Sequence, residues 1–383
     1  MRIACLSPGI TPYVMGGLQH HTFNLVKHLA RLGVKIDLYH TDFADAKGVS
    51  TLDGMSEGEK RQIYSIAIPW QNRDRFPGHY IRELKLFSIK AYHHYQQRPA
   101  ANFILGKSLT AWELIKAKTR GELSSPIGVN LHGFEMFQPP ATIKTYLESR
   151  LLRPAFYHYA TQADYLFSYG GRITELIQEH LHIDNCRIIE IPGGIDSSWL
   201  VGKVIPPTDP IRFVFLGRYE RRKGIQELQA AILQNPNWIS HATFRLIGPI
   251  PEAEHLRLPH VSYAGVIRDE TLLQQELRQA DILLCPSYSE GMPNVILEGM
   301  ASGLAILATD VGAVRLLVDT NNGILLSKVS IFGLSRGINH LLRLQSNQLQ
   351  AMKQASLNRV QQFTWDRIAQ QTLDAIQRIV SSQ

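Results

Sequence analysis

In the stretch SEGMPNVILEGMASG (residues 289 to 303), Glu290 and Glu298 are separated by seven residues. Paired carboxylates can perform acid–base chemistry, or they can bind hydroxyl groups, and the residues between them bear on which. Pro293 suits the first turn of a helix, where a missing N–H leaves nothing unpaired, and Gly303 is a natural C-terminal stop. Glu290 then lies in the loop ahead of a helix and Glu298 about a turn and a half into it, so the two need not address one atom. The helix is apolar enough to be largely buried. A buried carboxylate is costly without a partner, so Glu298 calls for a hydroxyl-bearing ligand or an internal donor.

A second stretch, FVFLGRYERRKGIQEL (213 to 228), places Arg218 just past an apolar strand and Lys223 at the start of the next helix. Cations are poorly placed at a helix N-terminus, because the macrodipole prefers anions there. A bound anion would offset the repulsion, and a forked Arg with a flexible Lys suits a diphosphate whose charge must be neutralised as it leaves. Gly16 and Gly17 in SPGITPYVMGGLQHHTF precede a helix, where bare amides can receive a phosphate or carboxylate or simply form a turn. His132 in VNLHGFEMF follows a strand. By itself it reads as readily as a hydrogen-bonded structural group.

These positions share one context, the loop after a strand in an alternating β/α pattern. RIACLS, GLQHHTFNLVKHLARLG and VKIDLYH begin a β-α-β unit, and a parallel sheet follows from that order. Further strands are expected at QIYSIAI, NFILGKS, IGVNLHG, DYLFSYG and RIIEIPGG, with helices near 79 to 97, 142 to 160 and 171 to 181. PGGIDSSWLVGKVIPPTDP is rich in turn formers and reads as a linker. The alternation restarts with IRFVFLG, helix 222 to 235, ATFRLIG, VSYAG, helix 269 to 279, DILLCPS, helix 293 to 302, LAILAT and GILLS. The chain then turns helical, ending in FTWDRIAQQTLDAIQRIV. In open parallel sheets ligands bind outside the carboxyl ends of the strands, where all of these candidates fall.

At 383 residues the chain is too long for one ordinary core, and two domains are expected. Cys5, Cys186 and Cys285 have no paired spacing, which argues against a disulfide framework or a zinc site and for a reducing cytoplasm. No apolar run is long enough for a bilayer span, and MRIACLSPGI reads as a first strand. The net charge of +7 is concentrated between positions 60 and 120. There Lys60, Arg61, Arg73, Arg75, Arg82, Lys85, Lys90, Arg98, Lys107, Lys116, Lys118 and Arg120 face only Asp74, Glu83 and Glu113. Aromatic residues are interleaved in RFPGHYIRELKLFSIKAYHHYQQRP. The stretch is compatible with a helix on an anionic membrane, with a groove for an acidic acceptor, and with a solvated helix face.

Together the residues resemble the retaining glycosyltransferases of family 4, whose GT-B fold is α/β, with two facing Rossmann-like doubly wound parallel-sheet domains and a cleft between them. The resemblance covers nearly the whole chain. Its specific parts are G-R-x4-K-G, from Gly217 to Gly224, and E-x7-E, from Glu290 to Glu298. It implies an acceptor-side domain over 1–195, a nucleotide-sugar donor domain over 196–362, and a final helix over 363–383 that packs back on the first. It further implies that Arg218 and Lys223 hold the donor diphosphate, that Glu298 binds ribose hydroxyls, and that Glu290 contacts the transferred sugar. Gly291 lies in the same turn, and the amides of Met292, Asn294 and Val295 would meet the sugar and distal phosphate. Val266 and Ile267 would flank the nucleobase. Gly16 and Gly17 would approach phosphate or acceptor, and His132 would face the sugar.

The same resemblance implies no metal or other cofactor, a nucleotide-diphosphate sugar as co-substrate, and a carbohydrate or lipid-linked acceptor. It places the protein in the cytoplasm, with peripheral membrane contact at the inner face left open, and it offers no role for nucleic acid. One stretch departs from the pattern: TDVGAVRLLVDTNNGILL has Ala313 where many relatives have glycine and Leu316 where they have glutamate, which bears on the donor's sugar or base. Two other classes are to be weighed, an epimerase of like architecture and a non-catalytic nucleotide-sugar binder. The carboxylate spacing favours transfer over the first. The joint presence of Arg218, Lys223, Glu290 and Glu298 disfavours the second. A dinucleotide oxidoreductase is weaker, since the first βα turn lacks a compact GxGxxG.

Overall fold

The computed structural model describes residues 1–11, 16–42, 52–70 and 78–382. Its first half runs β1 (Arg2–Leu6), α1 (Gly17–Arg31), β2 (Lys35–Asp42), α2 (Glu57–Gln62), β3 (Ile63–Pro69), α3 (His79–Tyr95) and β4 (Phe103–Lys107). It continues with α4 (Trp112–Thr119), β5 (Ile127–Asn130), α5 (Ile143–Gln162), β6 (Tyr165–Ser168), α6 (Arg172–Leu181) and β7 (Ile188–Glu190). The second half runs β8 (Ile211–Leu216), α7 (Ile225–Gln234), β9 (Ala242–Ile247), β10 (Val261–Gly265), α8 (Glu270–Arg278) and β11 (Ile282–Cys285). After these come α9 (Asn294–Ala301), β12 (Ala305–Thr309), α10 (Val314–Leu317), β13 (Gly323–Leu326), α11 (Ile331–Leu342), α12 (Ser346–Val360) and α13 (Trp365–Ser381).

Two wholly parallel sheets result, ordered β3-β2-β1-β4-β5-β6-β7 and β10-β9-β8-β11-β12-β13. Parallel sheets need both faces covered, and the sequence supplies this with runs such as FILGK, ILLC and AILAT, every residue of which is buried. In each sheet the order reverses once, between β1 and β4 and between β8 and β11. A crevice opens at such a reversal, so the carboxyl ends of these four strands are where a ligand site is favoured.

The last helix does not stay with the second half. α13 packs against α1, and its Trp365, Ile368, Ala369, Leu373 and Ile376 share a core with Ile3, Cys5, Leu25 and Leu29 of the first sheet and α1. Burying each such large apolar side chain contributes about 1.5–3 kcal/mol, enough to fix α13 there. The polypeptide crosses between halves twice, and the two crossings touch: Ile195 N–H donates to Phe363 O at 2.8 Å and Trp365 N–H donates to Ile195 O at 3.0 Å.

Strand and helix expectations agree with the structure to within a few residues, with exceptions that have local causes. Lys223 is not in the helix but closes a 3-10 turn over Arg221–Lys223, because Gly224 takes a φ of +65° before α7 can start. Pro293 is the residue before α9, not its first member. α2 and α4 were not anticipated, since α4 lies within the charged stretch and has too few residues to show a period. That stretch is largely consumed internally. Arg98 pairs with Asp37 at 2.8 Å, Lys118 with Asp164 at 2.7 Å, Lys60 with Glu57, and Arg120 with Glu113 and Glu122. Lys85 sits over the Trp112 ring and Lys107 is buried. Arg73, Asp74 and Arg75 lie outside the described residues.

Candidate active site

The loops after β1, β5, β8 and β11 meet around a cleft cavity of about 840 Å³. Of the expected site residues, Gly16, Gly17, His132, Arg218, Lys223, Glu290, Gly291, Met292, Asn294 and Val295 all line it. Glu298, Val266 and Ile267 do not.

Glu290 organises the second-half wall. Lys223 Nζ approaches its Oε1 at 2.6 Å, Ser287 Oγ donates to the same oxygen at 2.7 Å, and Arg222 reaches Oε2 at 3.3 Å. Burial alone would push this carboxyl up, but Lys223 and Arg222 outweigh it and hold its pKa below the usual value. A charge removed from water must be paired and hydrogen-bonded, and here it is. This qualifies the expectation drawn from the cations: the repulsion at the α7 end is offset by Glu290 from within the chain. Arg218 stands apart, mostly exposed and bonded to Glu220 at 3.1 Å.

Beside this pair the backbone offers donors. α9 has no side-chain cap, and the N–H groups of Gly291, Met292, Asn294 and Val295 have no acceptor among the described residues. Unpaired amides at a helix N-terminus next to two cations form an anion site. Gly17 begins α1 on the opposite wall, where an added Cβ would meet nothing within 4 Å.

Glu298 lies half-buried on α9, and no hydrogen-bond donor reaches its carboxylate among the described residues. Burial pushes its pKa up to about 7, the nearby Glu270 adds to this, and Lys223 opposes it. Val266 is exposed and Ile267 rests on the core, both in the loop after β10.

From the first half, His132 is held at a φ of +57° with its Nδ1 hydrogen-bonded to the Tyr169 hydroxyl. Its buried Nε2 has no partner among the described residues. Burial, then the charge of Lys107, drives the His132 pKa well below the usual value, so the ring is neutral. His21 is neutral for the same two reasons in the same order and lies 5.5 Å from His132 between ring centroids. Lys107, fully buried at the end of β4, approaches His21 Nδ1 at 3.4 Å, and burial lowers its pKa to about 8. Sequence reading missed Arg222, Ser287, Lys107, His21, Tyr169 and Gln138. Arg222 was recoverable from its place beside Lys223. Ser287 was recoverable from its place three residues before Glu290, and the others become visible only when the strand order brings β4, β5 and β6 beside β1.

The residues that depart from the pattern sit where the halves meet. Ala313 is buried and its N–H donates to Gly291 O at 2.8 Å. Leu316 presses on Gly170, and Arg315 bonds Glu175 of the first half at 2.6 Å. The substitutions therefore alter a seam between halves and do not line the cavity.

Comparison with known proteins agrees with the geometry. Residues 15–199 match the model of Glycosyltransferase Family 4 and residues 210–343 that of Glycosyl transferases group 1. The chain is 22% identical over 414 aligned residues to the D-inositol 3-phosphate glycosyltransferase of Corynebacterium aurimucosum, covering 97% of this chain and 94% of that one. The teichuronic acid biosynthesis glycosyltransferase TuaC of Bacillus subtilis and the phosphatidyl-myo-inositol mannosyltransferase of Mycolicibacterium smegmatis align over 33% and 50% of their own lengths. Among solved structures, the sucrose-phosphate synthase of Thermosynechococcus elongatus superposes with a TM-score of 0.79 at 18% identity, covering 100% of each chain. The Anabaena protein HepE, solved in complex with UDP and glucose, superposes with a TM-score of 0.67 at 16% identity, over 99% of this chain and 100% of that one. With its two parallel sheets, its crossed-back last helix and its loops converging on one cleft, the chain belongs to the family 4 glycosyltransferases, of group 1, and has the GT-B fold.

Proposed function

We propose that the protein transfers a sugar from a nucleotide-diphosphate sugar to an acceptor hydroxyl with retention of anomeric configuration, in the making of a cell-surface polysaccharide or glycolipid. The observation that carries this reading is the convergence of Lys223, Arg222 and the unpaired α9 amides on one point beside Glu290. A departing diphosphate needs that kind of positive, preorganised wall. In this reading Arg218 and Lys223 neutralise the diphosphate, Glu298 accepts from the ribose, Glu290 accepts from the transferred sugar, and neutral His132 offers its free Nε2 side to the sugar. The nucleobase rests near Val266 and Ile267. The acceptor attacks from the face the diphosphate leaves, and a phosphate oxygen takes its proton, so no side chain must act as nucleophile and no metal is called for. Residues 1–195 form the acceptor side, 196–362 the donor side, and 363–383 the returning helix.

HepE's bound UDP and glucose favour a nucleotide-sugar donor by analogy. The test is transfer with Lys223→Ala and Glu290→Gln after a thermal-shift panel has found the nucleotide that stabilises the wild type. Both variants should fold and lose transfer by about 1,000-fold or more, as removal of a preorganised charge does. Wild-type turnover in either would refute the reading.

A lipid-linked acceptor is favoured by α5. Its Ile143, Leu147 and Leu151 lie on one face and are 81%, 58% and 74% exposed, while Thr145, Glu148 and Leu152 of the same helix line the cavity. Lys144 and Arg150 flank the apolar stripe, so we assign it to an anionic membrane surface. No helix among the described residues is long and apolar enough to cross a membrane. Leu147→Asp/Leu151→Asp should abolish co-sedimentation with phosphatidylglycerol vesicles. Equal binding by the variant, or binding by neither, removes the assignment.

A further inference from the structure

We propose that Gln138 is a positioning residue: it reads the Glu290 peptide across the seam and so makes correct placement of the donor loop depend on the two halves being in register. Gln138 is 5% exposed and ends the loop that follows β5. Its Nε2 donates to Glu290 O at 2.6 Å, and Glu290 N–H donates to its Oε1 at 3.2 Å. One primary amide thus satisfies both backbone groups of one residue, 152 positions away. The match is to main chain, so it senses where the loop is and not which side chain it bears.

The surroundings show that this contact is built. Backbone packs on backbone at the seam: a Cβ on Gly133 would lie 3.2 Å from Gly291 N, and one on Gly291 would lie 3.2 Å from the Gly133 Cα. The Gln138 loop is held in a strained form, with two non-glycine residues in the left-handed region, His132 at +57° and Phe134 at +46°. Such conformations cost energy and persist where the surroundings over-determine them. Here Phe134 is 1% exposed, Arg153 Nε donates to Met136 O at 2.8 Å, and Gln138 Nε2 also donates to Gly133 O. The strain presents the amide in fixed orientation. On the other side Glu290 carries Lys223 on its carboxylate and begins the run of unpaired amides at Gly291 and Met292. Gln138 therefore acts through Glu290 without touching substrate.

The kinetic part of the test rests on the transfer reading above, whereas the exchange part does not. Gln138→Leu keeps the volume and removes both bonds. Amide exchange in segment 288–293 should quicken about 10-fold or more, as a lost hydrogen bond of about 1.4 kcal/mol allows, with exchange in β8, β9 and β12 unchanged. The kcat of transfer should fall about 30- to 100-fold, the scale of a sub-ångström to 1 Å misplacement, and nucleoside diphosphate affinity should fall less than kcat, because Arg218 and Glu298 stand outside the loop that Gln138 holds. Gln138→Glu supplies a readout that a merely structural role would not move. A protonated carboxyl keeps one donor for Glu290 O and the acceptor for Glu290 N–H, giving up only the bond to Gly133 O, whereas the ionised form has no donor; the ratio of its kcat to wild type should therefore climb at least about 5-fold from pH 8 to pH 6. Wild-type exchange in Gln138→Leu overturns the proposal. So does faster exchange throughout the chain with affinity and kcat lost in equal measure, or a pH-independent ratio for Gln138→Glu. If the wild type uses no nucleotide sugar, the function fails while exchange still decides on Gln138.

Discussion

The carboxyl of Glu298 offers a quantitative test of its assigned role. It is half-buried on α9 without a hydrogen-bond donor among the described residues, and burial raises its pKa from 4.5 to about 7. A raised carboxyl pKa costs stability above the unfolded value, in full once pH exceeds the folded value, and the cost disappears below about 4.5. At 1.36 kcal/mol per unit the shift corresponds to about 3 kcal/mol, an upper bound for a group that keeps some contact with water. Glu298→Gln should therefore raise the melting temperature of the ligand-free protein at pH 8 by roughly 2–4 °C and by almost nothing at pH 4.5. Ribose hydroxyls that donate to the carboxylate would supply the missing partners and return the pKa toward 4.5. At pH 6.5 about three-quarters of the free protein carries this proton, so binding of a nucleoside diphosphate should release roughly 0.7 proton from it. Calorimetry in buffers of different ionisation enthalpy measures that release, and Glu298→Gln subtracts the contribution of the nucleotide's own phosphate. Equal proton release by wild type and Glu298→Gln would refute the ribose assignment, even if the stability difference were found.

Three further outcomes are expected. Gly312 has a φ of +54°, and a Cβ there would lie 2.3 Å from both Glu290 O and Gly291 O; Gly312→Ala should cost about 2–3 kcal/mol in urea unfolding and impair nucleotide binding. Lys353 pairs with buried Asp281 at 2.7 Å, so Lys353→Met leaves that charge without its main partner and should destabilise by about 3 kcal/mol, which chemical denaturation reads directly. Transfer should persist in EDTA, because Arg218, Lys223 and the α9 amides are assigned the neutralising task; loss that magnesium restores would contradict this.

Much of the site was legible because its chemistry depends on short-range spacing. Glu290, Lys223 and the α9 amides could be placed from a strand, a loop and a proline-led helix, since each belongs to a strand end and parallel sheets bring strand ends together. Gln138 was not legible. It carries no charge, sits in an irregular loop, and matters only because strand order sets β5 opposite the loop after β11. Lys107 failed for a related reason: among twelve cations in one stretch nothing local distinguishes the buried one, and its burial follows from β4 lying at the reversal of strand order. The pairing of the basic stretch was not legible either, because its carboxylate partners Asp37 and Asp164 come from elsewhere in the chain. That Ala313 and Leu316 also meet the first half has the same origin, since Gly171 and Gly170 lie against them.

The paired crossings at Ile195 and Thr364 define how the molecule can move. Because the chain leaves the first half and returns to it through two segments hydrogen-bonded side by side, the second half is an insertion carried on a single hinge, not a body on a loose tether. Two adjacent segments joined by an isolated bridge cannot be displaced independently, so any movement of one half relative to the other carries both crossings together. The loop that Gln138 holds lies close to these crossings, since Gly193 N–H, two residues before Ile195, meets Met292 Sδ at 2.9 Å.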